Sequence, residues 1–180
     1  DQSGHFADIG YELYMEMLRE KADQLRGRQI STFRKAQIQL NSTAYIPEGY
    51  VPNEETKMEL YRKINRVETR EDLEDLEEEI TDRFGTMPPA VEELLYISYL
   101  SSLAGEMGFS ELIYQKGFKL YFDEKTPPSV EWLQHLHKAA PQGVQIRAGA
   151  KPFLFIEEIE GSAEKAVKRL EKLNTLGQAS

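Results

Sequence analysis

Apolar residues recur along this chain in two rhythms, helical as far as about Met107 and mostly alternating beyond it. Ile9, Leu13, Met17 and Leu18, with Tyr14 beside them, keep three- and four-residue steps. They predict a helix over 9–25, preceded by the loop Gln2-Ser3-Gly4-His5 and stopped by Gly27. A stretch without apolar period follows, containing Arg26, Arg28, Arg34 and Lys35, and it reads as a linker of modest basic character. Ile38 and Leu40 then alternate with Gln37 and Gln39, and the extended pattern carries on to Tyr45 and Ile46 before Pro47 and Pro52. Asn53 is suited to cap a helix whose first turn holds Glu54 and Glu55 and whose apolar face is Leu60, Tyr61, Ile64 and Val67. A further helix is expected from Pro89 to Met107, ended by Gly105 and Gly108.

Beyond Met107 the spacing changes. Leu112 and Tyr114, the turn Gln115-Lys116-Gly117, and Phe118, Leu120 and Phe122 alternating with Lys119 and Tyr121 predict a hairpin in which glycine supplies the bend. Val130–Lys138 reads as a short helix with the only tryptophan, Trp132. Val144 and Ile146 form a strand, Phe153 to Ile159 its partner, and a last helix starts at Ser162 and uses Ala166, Val167, Leu170 and Leu173. The second half is thus β-β-α-β-β-α. The expected class is α+β, with helices packed on a small, mostly antiparallel sheet and an N-terminal helical extension. The expected division is 1–26 as that extension, 27–37 as linker and 38–180 as one C-terminal domain.

Between these halves lies the most informative element, the helix from Thr69 to Pro89. The Thr69 hydroxyl is placed to accept from first-turn amides, and Glu71 and Asp72 sit at the positive end of the helix. Leu73, Leu76, Ile80 and Phe84 form one apolar stripe, and Gly85 with Pro88-Pro89 closes the element. At about 100° per residue, Glu71, Asp75, Glu78 and Asp82 form a second stripe opposite the first, flanked by Asp72 and Glu79. The acids of the first turn gain from the helix dipole. Glu78 and Asp82 do not, because they lie towards the negative end and each has like charge one turn away. Glu79 has Arg83 four residues downstream as a local partner. The face is therefore either merely solvated or a docking surface for a basic partner.

Composition narrows the function classes. The chain has 180 residues, 40% hydrophobic and 29% charged, enough for a globular core. It opens at Asp1 without methionine, and residues 10–27 read as the end of something larger, so the sequence is expected to be part of a longer protein. A net charge of −9 argues against free binding to a phosphate backbone. The absence of cysteine excludes disulfides and thiolate metal sites, and no apolar run is long enough to span a bilayer. A cytoplasmic location is expected.

Catalytic signatures are lacking. Gly105-Glu106-Met107-Gly108 suits a helix end better than a phosphate loop, His135 and His137 lack the spacing of a helical zinc pair, and Asp82-Arg83-Phe84-Gly85 is helix punctuation rather than a magnesium motif. No enzyme activity, metal or cofactor is expected of these residues themselves.

Two blocks carry a family resemblance. Residues 2–18, beginning Gln2-Ser3-Gly4-His5-Phe6, resemble the end of the translocation motif shared by the RecG translocase and the bacterial transcription-repair coupling factors, the Mfd family. Ala44-Tyr45-Ile46-Pro47, Tyr50-Val51-Pro52, Leu60-Tyr61-Arg62-Lys63-Ile64 and Asp82-Arg83-Phe84-Gly85 before Met87-Pro88 resemble that family's C-terminal domain. The resemblance covers residues 1 to about 109. It implies a regulatory domain without ATPase, belonging to a parent DNA translocase that uses ATP and magnesium and meets RNA polymerase, UvrA and duplex DNA. In the family this domain packs on a UvrB-like N-terminal module, holds the resting protein closed and hides the surface that recruits UvrA. The resemblance assigns the docking role to Glu79 and Asp82, with Glu78 and Asp75 in support, and makes Gln2, Gly4 and His5 the remnant of the translocation motif. The alternative is an accessory nucleic-acid contact module using Arg26 to Lys35 beside Phe33.

Overall fold

The computed structural model describes residues 35–178. The expected helix over 9–25 and nearly all of the basic linker lie outside the described residues. These contain five strands and five helices: β1 (Gln37–Gln39), α1 (Glu54–Asn65), α2 (Arg70–Phe84), α3 (Pro89–Met107), β2 (Phe109–Tyr114), β3 (Gly117–Phe122), α4 (Val130–Ala139), β4 (Val144–Arg147), β5 (Phe153–Glu157) and α5 (Ala163–Gln178). The class is α+β, as the spacing predicts. The chain divides into two compact units, one of residues 43–98 and one formed by the 35–42 segment together with residues 99–178.

In the first unit, α1 and α2 bury Leu60, Ile64, Leu73, Leu76 and Ile80, the first half of α3 adds Val91, Leu94 and Leu95, and the preceding segment adds Ala44, Ile46 and Val51. That segment is extended but not a strand. The ladder of β1 stops at Gln39, where continuation to Ile46 was expected. The reason is the destination of its amides: Tyr45 N–H donates to the Ala90 carbonyl at 3.2 Å, and Ile46 N–H donates to the Tyr61 hydroxyl at 3.0 Å. Both donors are satisfied by helices, so no neighbouring strand is required.

The second unit is built on an open sheet in the order β1-β2-β3-β5-β4. β1 runs parallel to β2 and every other pairing is antiparallel. Successive side chains alternate faces, so the register lines residues up in rows across the sheet. Ile38, Leu112, Leu120, Leu154 and Ile146 form one such row on the core face. Its three central members are fully buried, whereas Ile146 on the edge strand is 46% exposed. On α5 the buried residues are Ala163, Ala166, Val167, Leu170 and Leu173, in helical steps. α4 is fastened to α5 by Trp132 Nε1–H donating to Asn174 Oδ1 at 3.3 Å and by a 2.9 Å contact between His135 Nδ1 and the Gly177 carbonyl. Trp132 meets Phe109 of β2 edge-on, with ring centroids 6.2 Å apart. Tyr99 in the second half of α3 donates its hydroxyl proton to Glu171 of α5 at 2.9 Å.

The hairpin between β2 and β3 forms where the alternation places it, with Gly117 at φ 153° accepting the Gln115 amide across the bend at 2.9 Å, and its glycine has a second job. Lys116, at φ 58°, takes the left-handed bend, while Gly117 is already paired with Glu157 as the first residue of β3. A Cβ on Gly117 would lie 2.5 Å from the Phe155 ring and 2.6 Å from the Ile156 carbonyl oxygen. The glycine lets β5 and its aromatic ring come close. Gly117→Ala is accordingly expected to destabilise the sheet unit by about 2–4 kcal/mol through overpacking against backbone. Lys116→Gly at the bend is expected to be neutral or mildly stabilising, and urea titrations of the two variants distinguish these effects.

Candidate functional site

The acidic helix α2 starts where its first residues predict. Thr69 is the N-cap, with its hydroxyl accepting the Asp72 amide at 3.0 Å, and the Asp72 carboxylate accepts the Thr69 amide at 3.1 Å in return. This reciprocal pair satisfies two of the exposed donors at the helix start. Asp72 also accepts the Glu68 amide at 3.1 Å. The Glu68 amide is the main reason its carboxyl titrates below the usual aspartate range; the Thr69 amide and hydroxyl add to this, while burial opposes it. At the other end Gly85, at φ 87°, donates its amide to the Thr81 carbonyl at 3.0 Å and stops the helix.

Between these caps Leu73, Leu76 and Ile80 are buried, and they fix the rotation of the helix. Glu71, Asp75, Glu78 and Asp82 consequently lie exposed on the face away from the core. Phe84, the last member of the apolar stripe, is only half-buried. It stands 5.9 Å from the Tyr50 ring, with the Arg83 guanidinium 4.8 Å over its own ring.

The four carboxylates assigned to docking divide into two kinds. Glu79 is engaged: Lys63 of α1 donates to its Oε2 at 2.9 Å, and Arg83 lies 3.9 Å from the same oxygen. The side chains of Lys63 and Glu79 keep 33% and 40% of their exposure, so the bridge is worth no more than about 1 kcal/mol. Arg83 is the weaker of the two partners, although it was the one visible in the sequence. Lys63, in the last turn of the neighbouring helix, was missed because an interhelical contact leaves no trace in spacing. Asp75, Glu78 and Asp82 have no ion-pair partner among the described residues. They are three adjacent, solvated carboxylates on one face. Gln2, Gly4, His5 and the Arg26 to Arg34 stretch, with Phe33, lie outside the described residues.

Among the described residues no group of three or more acidic or histidine side chains is arranged to hold a metal ion. None of their helices is long and apolar enough to cross a membrane.

The fold is that of a known α+β domain. The solved crystal structure of the C-terminal domain of a transcription-repair coupling factor matches with a TM-score of 0.65 at 23% identity, over 83% of this chain and 94% of that one. The TRCF domain family matches residues 40–133. The transcription-repair-coupling factor of Escherichia coli (strain K12) is 31% identical over 165 residues, 88% of this chain, and that of Staphylococcus haemolyticus (strain JCSC1435) is 31% identical over 154 residues, 83% of this chain. The chain belongs to the TRCF domain family. It spans 14% and 13% of the length of these two relatives.

Two measurements check the start of the site. Thr69→Ala is expected to cost about 1 kcal/mol of helix stability. Because the Asp72 carboxyl is held below its unfolded value, its contribution is present above the unfolded pKa of about 3.9 and is lost as pH falls through the lower folded value. The stability gap between wild type and Asp72→Asn, read from urea midpoints, is therefore expected to be widest near neutrality and to close at acid pH.

Proposed function

We propose that this chain is a non-catalytic regulatory domain of a transcription-repair coupling DNA translocase. Its acidic α2 face docks on the basic surface of a UvrB-like N-terminal module in the same protein. The contact holds the motor in a restrained state and masks the surface that recruits UvrA. The observation that carries this reading is the trio Asp75, Glu78 and Asp82, exposed and without ion-pair partners among the described residues although like-charge proximity and the helix dipole oppose two of them. Membership of the TRCF family and similarity to the E. coli and staphylococcal coupling factors support it. The parent protein would supply the ATP- and magnesium-dependent motor and the contacts with RNA polymerase, UvrA and duplex DNA.

Docking of this kind is strongest where arginines of the partner meet carboxylates through paired hydrogen bonds. Asp82, Glu78 and Asp75 are open to such contacts. Glu79 takes part only by sharing its oxygens with Lys63 and Arg83. Arg83, at 3.9 Å, is displaced more readily than Lys63 at 2.9 Å. Asp82 therefore leads the contact and Glu79 supports it.

The test is a titration of this chain with the isolated UvrB-like module at two salt concentrations. Wild-type binding is expected to weaken as salt rises. Glu78→Lys combined with Asp82→Lys should weaken it at least about tenfold. The same pair of changes should leave thermal stability unaltered or slightly raised, since it removes like-charge repulsion and puts cations at the negative helix end. Unchanged affinity in that variant overturns the docking assignment. In the full-length protein, deletion of the domain is expected to raise ATPase activity, because it removes the contact that restrains the motor.

A further inference from the structure

The outward face of the sheet in the second unit differs in chemistry from the acidic face of α2. The register places Gln37, Glu111, Tyr121, Phe153 and Arg147 in one row, and Gln39, Ile113, Lys119, Phe155 and Gln145 in the next. None of these residues is buried. Three aromatic rings thus stand together on neighbouring strands at the middle of an accessible sheet. The Tyr121 and Phe153 centroids are 5.4 Å apart at an interplanar angle of 54°.

Two lysines stand over the rings. Lys151 Nζ lies 4.1 Å from the centre of the Tyr121 ring and Lys119 Nζ 5.6 Å from that of Phe153, while Arg147 is exposed in the same row. Two carboxylates share the face. Glu111 is paired with Lys151 at 3.4 Å, and Glu157 lies at the far end of β5 opposite Gly117. In a chain of net charge −9 this patch carries more positive than negative side chains.

Part of the arrangement has a structural purpose. Phe155 covers Gly117, and cross-strand aromatic pairs stabilise sheets. That accounts for Phe155, and for the contact between Tyr121 and Phe153. It does not account for two lysines standing over solvent-accessible rings, Lys119 also donating to Gln115 at 3.2 Å and Lys151 paired with Glu111, beside an exposed Arg147 and with glutamines in the same rows able to donate and accept. Rings in a sheet take the faces of unstacked bases, and neighbouring cations take the phosphates.

We infer that the outward face of this sheet, centred on Tyr121 and Phe153 with Lys119, Arg147 and Lys151, is a binding surface for single-stranded nucleic acid. It belongs to the other unit and shares no residue with the α2 face, so it stands or falls independently of the docking function. A duplex keeps its bases stacked and offers no free ring face. The site accordingly favours single strands. With three cations available, affinity is modest and the salt dependence shallow, with a slope of log K against log salt of about −2.

The test uses the 180-residue chain, labelled thymidine and uridine homopolymers of about 12 nucleotides, and a duplex of equal length, followed by fluorescence anisotropy. Both single strands are expected to bind in the micromolar range and the duplex more weakly; preference for RNA over DNA, or the reverse, reports only whether the sugar hydroxyl is contacted. Tyr121→Leu with Phe153→Leu keeps an apolar cross-strand pair while removing the rings, and should weaken binding about tenfold or more. Lys119→Glu with Arg147→Glu should weaken it further and flatten the salt dependence. Circular-dichroism melts show whether each variant is folded. Lack of binding at about 100 µM overturns the inference, and so does duplex preference. Binding that survives both pairs of changes also overturns it, because the nucleic acid is then held elsewhere. If instead these variants lose a protein partner and the chain binds no oligonucleotide, the face is a protein-docking surface.

Discussion

The burial of Leu73, Leu76 and Ile80 is the constraint on which the acidic surface depends. Each such side chain withdrawn from water is worth roughly 1.5–3 kcal/mol, several times what any exposed ion pair on the same helix supplies. The apolar stripe therefore sets the rotation of α2, and the carboxylates take whatever positions remain. The reciprocal Thr69–Asp72 cap and the Gly85 stop then fix its ends. Local electrostatics had no say in placing Glu78 and Asp82. Their positions near the negative end, without an ion-pair partner among the described residues, are tolerated because the opposite face has already decided the geometry.

The same hierarchy separates Glu79 from its neighbours. One step around the helix from the exposed stripe, its carboxylate comes within reach of the last turn of α1, where Lys63 meets it. A surface that looks uniform in composition is thus uneven in availability. One carboxylate is committed to holding two helices together, and three are solvated and free to exchange water for a partner's guanidinium groups.

Much of the fold was legible in the sequence. α3 runs from Pro89 to Met107 as its period implies, and the caps of α1 and α2 are the residues their chemistry selects, Asn53 and Thr69. These are local decisions, made by side chains within a turn of the backbone groups they satisfy. What could not be read is non-local. The amides of Tyr45 and Ile46 turn to helices rather than to a strand, Lys63 reaches Glu79 from another helix, and Gly117 serves a strand approach as well as a bend. The aromatic face of the sheet was hidden for a related reason. In β3 the inward residues Phe118 and Leu120 alternate with Lys119 and Tyr121, but β5 reads Phe-Leu-Phe-Ile, with no polar position to mark which side faces out.

β1 has a consequence for how the chain reaches this state. The strand is three residues long, and it joins β2 only after the whole 43–98 unit has intervened. Its anchorage is a pair of contacts across that interval: Ala36 N–H donates to the Ser101 carbonyl at 2.9 Å, and the Ser101 hydroxyl donates to the Ala36 carbonyl at 2.5 Å. Closing so long a loop as open chain carries an entropic penalty that a three-residue ladder repays poorly. A segment that has already compacted brings its own ends nearer and lowers that penalty. Folding is therefore expected to have a preferred order, in which the inserted unit and the β2–β3 hairpin form from nearby contacts and β1 is recruited last. As the shortest strand, and an edge strand among the described residues, β1 is also expected to be the first part of the sheet to exchange its amide protons with water.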